Sequence, residues 1–137
     1  MFVSLHLPIH SYSTQLPHSF HLAPLGRTFE AIRWAPSATN AQPVRLFVLP
    51  KSRSSQTLSS LDDRVVIHFF TKGPTMFGID CGIAMEHLQY VAGEQFNRKG
   101  RFVVIKPGKE EDGVAYPEIP SKLSTEKLLY WATWIEN

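Results

Sequence analysis

The sequence has few of the features that would place it in several large classes of protein. It contains one cysteine, Cys81, so an internal disulfide is impossible and zinc sites built from several cysteines are excluded. No apolar run approaches the roughly 20 residues that span a bilayer. Its 14 basic and 12 acidic residues nearly balance, with a net charge of +2, which argues against a dedicated nucleic-acid-binding protein. We therefore expect a soluble, cytoplasmic protein with neither nucleic acid nor membrane as a partner.

Charge is missing altogether from the first 26 residues. Every Asp, Glu, Lys and Arg lies at or after Arg27, whereas four of the six histidines lie before it. This segment lacks the basic start and the unbroken apolar stretch of a secretory signal, and its three prolines prevent a long helix. We expect residues 1–26 to be loosely structured. Residues 27–137 are expected to form one domain, because 137 residues with 43% hydrophobic composition are enough for a core without disulfides.

Hydrophobic spacing predicts two helices and several strands. A short helix is predicted from Phe29 to Ala35 with Thr28 as its N-cap. A longer helix, about Met76 to Phe96, is apolar over most of its circumference, which predicts a central buried helix. Clusters of β-branched and aromatic residues predict strands at Val44–Leu49, Arg64–Phe70 and Arg101–Ile105, and a strand or terminal arm at Leu128–Ile135. The expected fold class is α+β, with a small sheet flanked by helices around the central one.

The most specific stretch lies between the first helix and the first strand. Seven residues stand there at fixed spacing: Arg33, Ala35, Pro36, Ser37, Asn40, Gln42 and Pro43. This run resembles the flavin-binding signature of the nitroreductase family, Arg-x-Ala-Pro-Ser-x-x-Asn-x-Gln-Pro between a helix and a strand. Phe77–Leu88 resembles the start of that family's central helix, where an Asp-x-Gly-Ile-Ala pattern recurs. Tyr130–Trp134 resembles the C-terminal end of the branch in which one chain carries two related halves.

The resemblance covers Arg27 to Trp134, so the chain looks N-terminally incomplete beside the family and is expected to hold part of the full fold. It implies an FMN-dependent oxidoreductase that passes electrons from NAD(P)H through the flavin to a nitro-aromatic, a quinone or a similar small-molecule acceptor. Because the cofactor performs the chemistry, no catalytic side chain is implied. In this family the flavin lies between two subunits or two halves, which implies a homodimer.

The residues of the signature suit a flavin on physical grounds as well. Pro36 offers rigidity and apolar surface, Ser37 and Asn40 offer short hydrogen-bonding side chains, and Gln42 offers a longer amide that both donates and accepts. Taken alone, Ser37 and Asn40 are typical of a turn, and Gln42 is typical of a surface position. With the whole run present, contact of Pro36, Ser37, Asn40 and Gln42 with the flavin is the favoured interpretation.

Two departures from the family pattern support a second hypothesis. The arginine-rich stretch that grips the flavin phosphate in the family has no match, and Arg27, Arg33 and Arg45 are the nearest cations that remain. Val44 stands where an aromatic residue commonly follows the Gln-Pro pair. The alternative function is therefore a degenerate or truncated family member that keeps the fold without binding flavin and acts as an interaction module.

The remaining histidines and the cysteine do not predict a further site. The pairs His6/His10 and His18/His21 have helical spacing, but Pro8 interrupts the first pair and no carboxylate is near either one, so no metal site is predicted. Cys81 and His87 lie six residues apart on one helix and point to different sides of it. Cys81 is expected to be a buried core residue, and His68, inside a strand, is expected to be structural.

Overall fold

The computed structural model describes residues 3–5, 24–51, 64–119 and 127–137. The helices and strands are β1 (Val3–Leu5), α1 (Pro24–Arg33), β2 (Val44–Pro50), β3 (Val65–Lys72), α2 (Gly78–Tyr90), β4 (Gly100–Val103), β5 (Glu110–Glu111), β6 (Val114–Ala115) and β7 (Leu128–Glu136). A one-turn 3₁₀ segment precedes α2, and a π-helical segment, Val91–Gln95, follows it. Among the described residues, no helix is long and apolar enough to cross a membrane.

Five strands form one antiparallel sheet in the order β1-β2-β3-β7-β4. The segment predicted as a strand or a terminal arm is therefore an interior strand, β7, paired with β3 on one side and β4 on the other. Its large aromatic residues belong to the domain itself: Trp134 is buried and Trp131 packs against the core. A shift in the β3–β7 register at Phe69 and Phe70 leaves Trp131 out of the residue pairing, and its indole N–H donates to the Thr71 hydroxyl of β3 at 2.7 Å.

Helices cover one face of the sheet. Alternate residues of the strands point towards α1 and α2, because successive side chains on a strand face opposite ways. Their buried side chains form one core cluster that includes Phe29, Ile32, Leu46, Val48, Val65, Ile67, Phe69, Cys81, Ala84, Leu88, Ala92 and Trp134. We call this side the helix face.

The opposite side of the sheet, which we call the hairpin face, is also buried. Phe47, Val66, His68, Phe70 and Ile135 lie on it and are at most 3% exposed. The segment after β4 crosses this face and contains the β5–β6 hairpin; the ring of its Tyr116 packs edge-on against Tyr130, with 5.2 Å between ring centroids. The hairpin turns at Asp112 and Gly113, whose φ angles of 50° and 73° are those of a type I′ turn.

The structure confirms a mixed α+β architecture and corrects several details of the prediction. The central helix is not buried all round: Leu88 is fully buried, but Ile79 is 77% exposed, so α2 packs against the sheet with one side only. The helix predicted from Phe29 begins earlier, at Pro24, which suits the first turn because proline needs no N–H partner there. Thr28 lies inside this helix and not at its cap.

Two parts of the segment predicted to be loosely structured lie in regular elements. Val3–Leu5 pair with Leu46–Val48 of β2 as the edge strand β1. Residues 24–26 form the first turn of α1, so the expected boundary at residue 27 falls inside a helix. The rest of residues 1–26, and the serine-rich stretch within 52–63, lie outside the described residues.

Candidate functional site

The loop that carries the flavin-like signature has an unusual backbone. Between the end of α1 and the start of β2, three non-glycine residues have left-handed φ angles: Thr39 at 52°, Asn40 at 56° and Gln42 at 48°. For residues with a Cβ this conformation costs about 1–2 kcal/mol each, although Asn tolerates it best. Such a cluster persists only where the surrounding contacts hold the loop in place, and it is most frequent at functional sites.

Two of those contacts come from the signature itself. The hydroxyl oxygen of Ser37 accepts a hydrogen bond from the backbone N–H of Gln42 at 2.9 Å, which closes the loop across five residues. The side-chain amide of Gln42 donates to the Asn40 side-chain oxygen at 3.2 Å. Ser37 therefore has the turn-forming role that is typical of the residue alone, and the three polar side chains of the prediction lie together in one loop.

A third contact comes from α2 and was not among the predicted site residues. Asp80, in the first turn of α2, accepts a hydrogen bond from the backbone N–H of Ala38 at 2.9 Å. This aspartate is 4% exposed, and its second carboxylate oxygen has no hydrogen-bond partner among the described residues. Asp80 begins the Asp-x-Gly-Ile-Ala segment, so the two stretches that resemble the family meet in space at Ala38 and Asp80.

The nearby arginines are occupied by other groups. Arg45 donates to the backbone carbonyls of Gln42 and Val44 at 2.9 and 3.0 Å, so it holds the end of the loop. Arg33 pairs with Glu30 at 2.8 Å, and its guanidinium lies 4.5 Å from the centre of the Trp34 ring. Arg27 is exposed on α1. The loop therefore has no cluster of free cations among the described residues to hold a phosphate.

The space around the loop limits how a flavin could lie there. The cavity enclosed between the loop and α2, next to Asp80, measures only about 10 Å³, which is room for one water molecule. A three-ring flavin cannot enter it and would have to lie on the outer side of the loop. That side presents Pro36 and Asn40, both exposed, together with Trp34, which is 72% exposed.

The polar groups left over in the loop fit the edge of a flavin. Within the described part of the chain, the Ser37 hydroxyl hydrogen, the Asn40 amide N–H groups and the Gln42 amide oxygen have no partner. The pyrimidine edge of a flavin carries two carbonyl acceptors on either side of one N–H donor. The two donors and one acceptor of the loop are complementary to the two acceptors and one donor of the flavin edge. The loop has no group of this kind for the flavin phosphate.

The other candidates from the sequence have structural roles. Cys81 is buried in the core, and burial raises the pKa of its thiol to about 12, so it stays protonated and unreactive at neutral pH. The Nδ1 of His87 donates to the carbonyl of Ile83 at 2.9 Å within α2. No group of three metal-ligating side chains occurs among the residues that the structure describes, and the four early histidines lie outside them.

Comparison of the chain with models of protein families, with curated proteins and with solved structures gave no match.

Proposed function

We propose that the chain is a cytoplasmic, FMN-dependent oxidoreductase of the nitroreductase type, which uses NAD(P)H to reduce a small electron-poor acceptor such as a nitro-aromatic or a quinone. The observation that carries the proposal is the loop from Pro36 to Gln42. Its left-handed backbone is held by Ser37 and by Asp80 of α2; Asn40 is exposed, and Ser37 and Gln42 are half-buried. A loop fixed in this way offers hydrogen bonds without a further cost of ordering when a ligand binds.

The protein's own part in such a reaction is binding and orientation. A bound FMN would supply the redox chemistry between the nicotinamide and the acceptor. Ser37 and Asn40 would donate to the flavin carbonyls, and Gln42 would accept from the ring N–H. Asp80 would act as a positioning residue, because it fixes the backbone of Ala38 and with it the direction of the Ser37 side chain. Pro36 would give the ring an apolar contact.

A second copy of the chain is part of the proposal. The loop supplies one wall for a flavin, and a ring that lies on its outer side needs a second wall to exclude water. Apolar side chains are exposed close to the loop: Trp34 precedes it, and Ile79 is next to Asp80. We propose that the partner in a homodimer covers this region, as the resemblance implies.

The alternative, a family member that keeps the fold without flavin, is favoured by one specific observation. Arg33 and Arg45 are both engaged, and no cluster of free cations is near the loop in the described residues. Phosphate recognition in proteins depends on such charges. The two hypotheses therefore differ in whether any flavin binds and, if it does, in whether its phosphate contributes.

Titration of the purified protein with FMN and with riboflavin separates these possibilities. A bound flavin gives a yellow protein with absorbance near ~450 nm and quenched fluorescence. Because the proposed contacts are all to the flavin ring and none is to the phosphate, we expect FMN and riboflavin to bind with similar affinity. Absence of binding for both compounds at tens of micromolar, as a rough threshold, would reject the oxidoreductase and support the interaction module.

The matched variants are Asn40→Gly and Asn97→Gly. Both asparagines are exposed and have left-handed φ angles, 56° and 52°, so glycine keeps each backbone and removes only the amide. Asn40→Gly should weaken flavin binding about 10-fold, which corresponds to one lost hydrogen bond of about 1–1.5 kcal/mol. Asn97→Gly, after the π-helical segment, should leave the affinity unchanged. Equal affinities in both variants and the wild type would remove Asn40 from the site.

A further inference from the structure

The hairpin face contains a cavity that the flavin proposal does not use. It measures about 270 Å³ and lies between β2 and β3 on one side and residues 113–118 on the other. Apolar side chains make most of its wall, among them Phe47, Leu49 and Val66 from the sheet and Val114 and Pro117 from the hairpin segment. Its volume is just below the range of about 300–1,000 Å³ that is usual for small-molecule sites. The ligand it fits is therefore small and mostly apolar.

One polar side chain of the sheet, His68, lines this cavity. His68 is 2% exposed, and its Nδ1 lies 2.7 Å from the hydroxyl of Thr133. The other ring nitrogen, Nε2, has no partner among the described residues. Burial lowers the pKa of His68 to about 4, so the ring is neutral at pH 7 and carries one N–H only.

The hydrogen bonds behind His68 decide which nitrogen carries that hydrogen. The backbone N–H of Ile105 donates to the hydroxyl oxygen of Tyr130 at 3.2 Å, and Tyr130 lies 2.8 Å from the Thr133 hydroxyl. If the Tyr130 hydroxyl donates to Thr133 and the Thr133 hydroxyl donates to Nδ1, every hydrogen in this series of hydrogen bonds has an acceptor. The reverse direction would leave the hydroxyl hydrogen of Tyr130 without one among the described residues. From the bonds within this network we assign Nδ1 as the acceptor and the N–H to Nε2.

The charged groups at the cavity argue against an ionic ligand. Lys51 lines it and donates one of its three ammonium N–H groups to the backbone carbonyl of Glu136 at 2.5 Å; its positive charge disfavours a cation. Glu118 is exposed and lines the cavity as well, which disfavours an anion. The lining therefore has one charged side chain of each sign and no net charge, and the buried His68 adds an N–H donor. A neutral molecule with one hydrogen-bond acceptor is the remaining class.

We propose that this cavity binds a small aromatic ketone or aldehyde, whose rings pack against Phe47 and Val66 and whose carbonyl oxygen accepts a hydrogen bond from His68 Nε2. The site is independent of the flavin loop, because none of its residues belongs to that loop. His68 has two functions here: Nδ1 forms the hydrogen bond with Thr133, and Nε2 donates to the ligand. Thr133 is a positioning residue, since its hydroxyl fixes the tautomer of His68.

The test compares 2-acetylnaphthalene with 2-ethylnaphthalene, which has nearly the same shape but no carbonyl. Titration of the full chain, followed by calorimetry, should give about 10-fold tighter binding of the ketone than of the hydrocarbon. Imidazole nitrogen NMR should show the Nε2–H tautomer in the free protein and a shift of Nε2 when the ketone is added. Equal binding of the two compounds, absence of binding up to the solubility limit, or a protonated Nδ1 would overturn the proposal.

Variants sharpen the result. His68→Phe keeps an aromatic ring, slightly larger than imidazole, and removes the donor, so it should abolish the preference for the ketone while 2-ethylnaphthalene still binds. Thr133→Val should reduce the preference and change the tautomer signal, which a purely structural role would not do. Asn40→Gly, in the flavin loop, should change neither affinity. A full preference for the ketone in folded His68→Phe would contradict the proposal, and if this variant does not fold, the comparison of the two ligands on the wild type decides.

Discussion

The two faces of the sheet are both buried, but helices cover one of them and an irregular segment with a short hairpin covers the other. On the helix face, α1 and α2 meet the strands through aliphatic and aromatic side chains such as Ile32, Leu46 and Leu88. On the hairpin face, an irregular segment covers the sheet and leaves a cavity next to the hydrogen-bonded His68, Thr133 and Tyr130. The cavity on the helix side, about 330 Å³, lies at the edge of that face beside Gly93, Arg98 and Trp134. Helices with an apolar stripe fill the sheet surface beneath them, whereas a loop with its own backbone groups to satisfy leaves room over β2 and β3. We therefore expect the helix face to supply most of the free energy of unfolding, and the hairpin face to supply the polar groups that bind a ligand.

The largest effect should come from a charge placed on the helix face. Leu88→Asp puts a carboxylate at a fully buried position, where no cation is available to pair with it in the cluster. We expect a loss of about 4 kcal/mol or more in the free energy of unfolding, measured by chemical denaturation. Gln89→Asp is the matched control on the same helix, since Gln89 is exposed, and should change stability by at most about 0.5 kcal/mol. Equal losses in the two variants would mean that α2 is turned differently.

An intermediate effect should appear on the hairpin face as the pH falls. Burial lowers the pKa of His68 from 6.5 to about 4, so the unfolded chain takes up a proton between these values and the folded chain does not. The contribution of His68 to stability is therefore fully present above about pH 6.5 and is lost as the pH falls towards 4, on the order of 3 kcal/mol in total. His68→Phe should lose correspondingly less stability than the wild type between pH 7 and about pH 4.5. The same loss in both proteins would contradict a neutral, buried His68.

The smallest effects concern two glycines of α2, Gly78 and Gly82, which lie four residues apart. A Cβ at Gly78 would lie 2.6 Å from the Trp131 ring, whereas a Cβ at Gly82 would meet nothing within 4 Å. Gly78→Ala should therefore destabilise the fold by about 1–2 kcal/mol through displacement of the ring. Gly82→Ala should stabilise it by about 0.5–1 kcal/mol, because alanine favours the helix. Thermal unfolding of the two variants and the wild type in one buffer should show a lower melting temperature for Gly78→Ala and a higher one for Gly82→Ala.

The sequence predicted the elements better than their arrangement. The runs of Val, Ile and Phe at β2 and β3 and the aromatic run at β7 were recognisable as strands, because strand composition is a local property. The position of β7 between β3 and β4 depends on pairing across more than thirty positions of the chain, which no local pattern encodes. For the same reason, the exposure of Ile79 could not be read from α2, whose apolar residues surround the helix.

For the candidate site, the residues of the loop were predictable and their geometry was not. Ser37, Asn40 and Gln42 stand at a spacing that resembles the flavin signature, and they do lie in one loop. The left-handed backbone at Asn40 and Gln42 results from the whole loop being closed, which is not visible in residue types. Asp80 lies 42 residues from Ala38, and only its place in the second family-like segment could have drawn attention to it. His68 gave no signal beyond its place in a strand.

The interior position of β7 has a consequence for the synthesis of the protein. A ribosome that has synthesised β3 and β4 has not yet synthesised the strand that joins them, since β7 ends at Glu136 while β4 ends at Val103. At about 5–20 residues per second, the interval is a few seconds. During that time the β7-side edge of β3 has no partner in the final sheet, and its run of Val, Ile and Phe is open to pairing with another nascent chain. Production of this protein should therefore depend more on chaperones and on low expression temperature than its small size suggests.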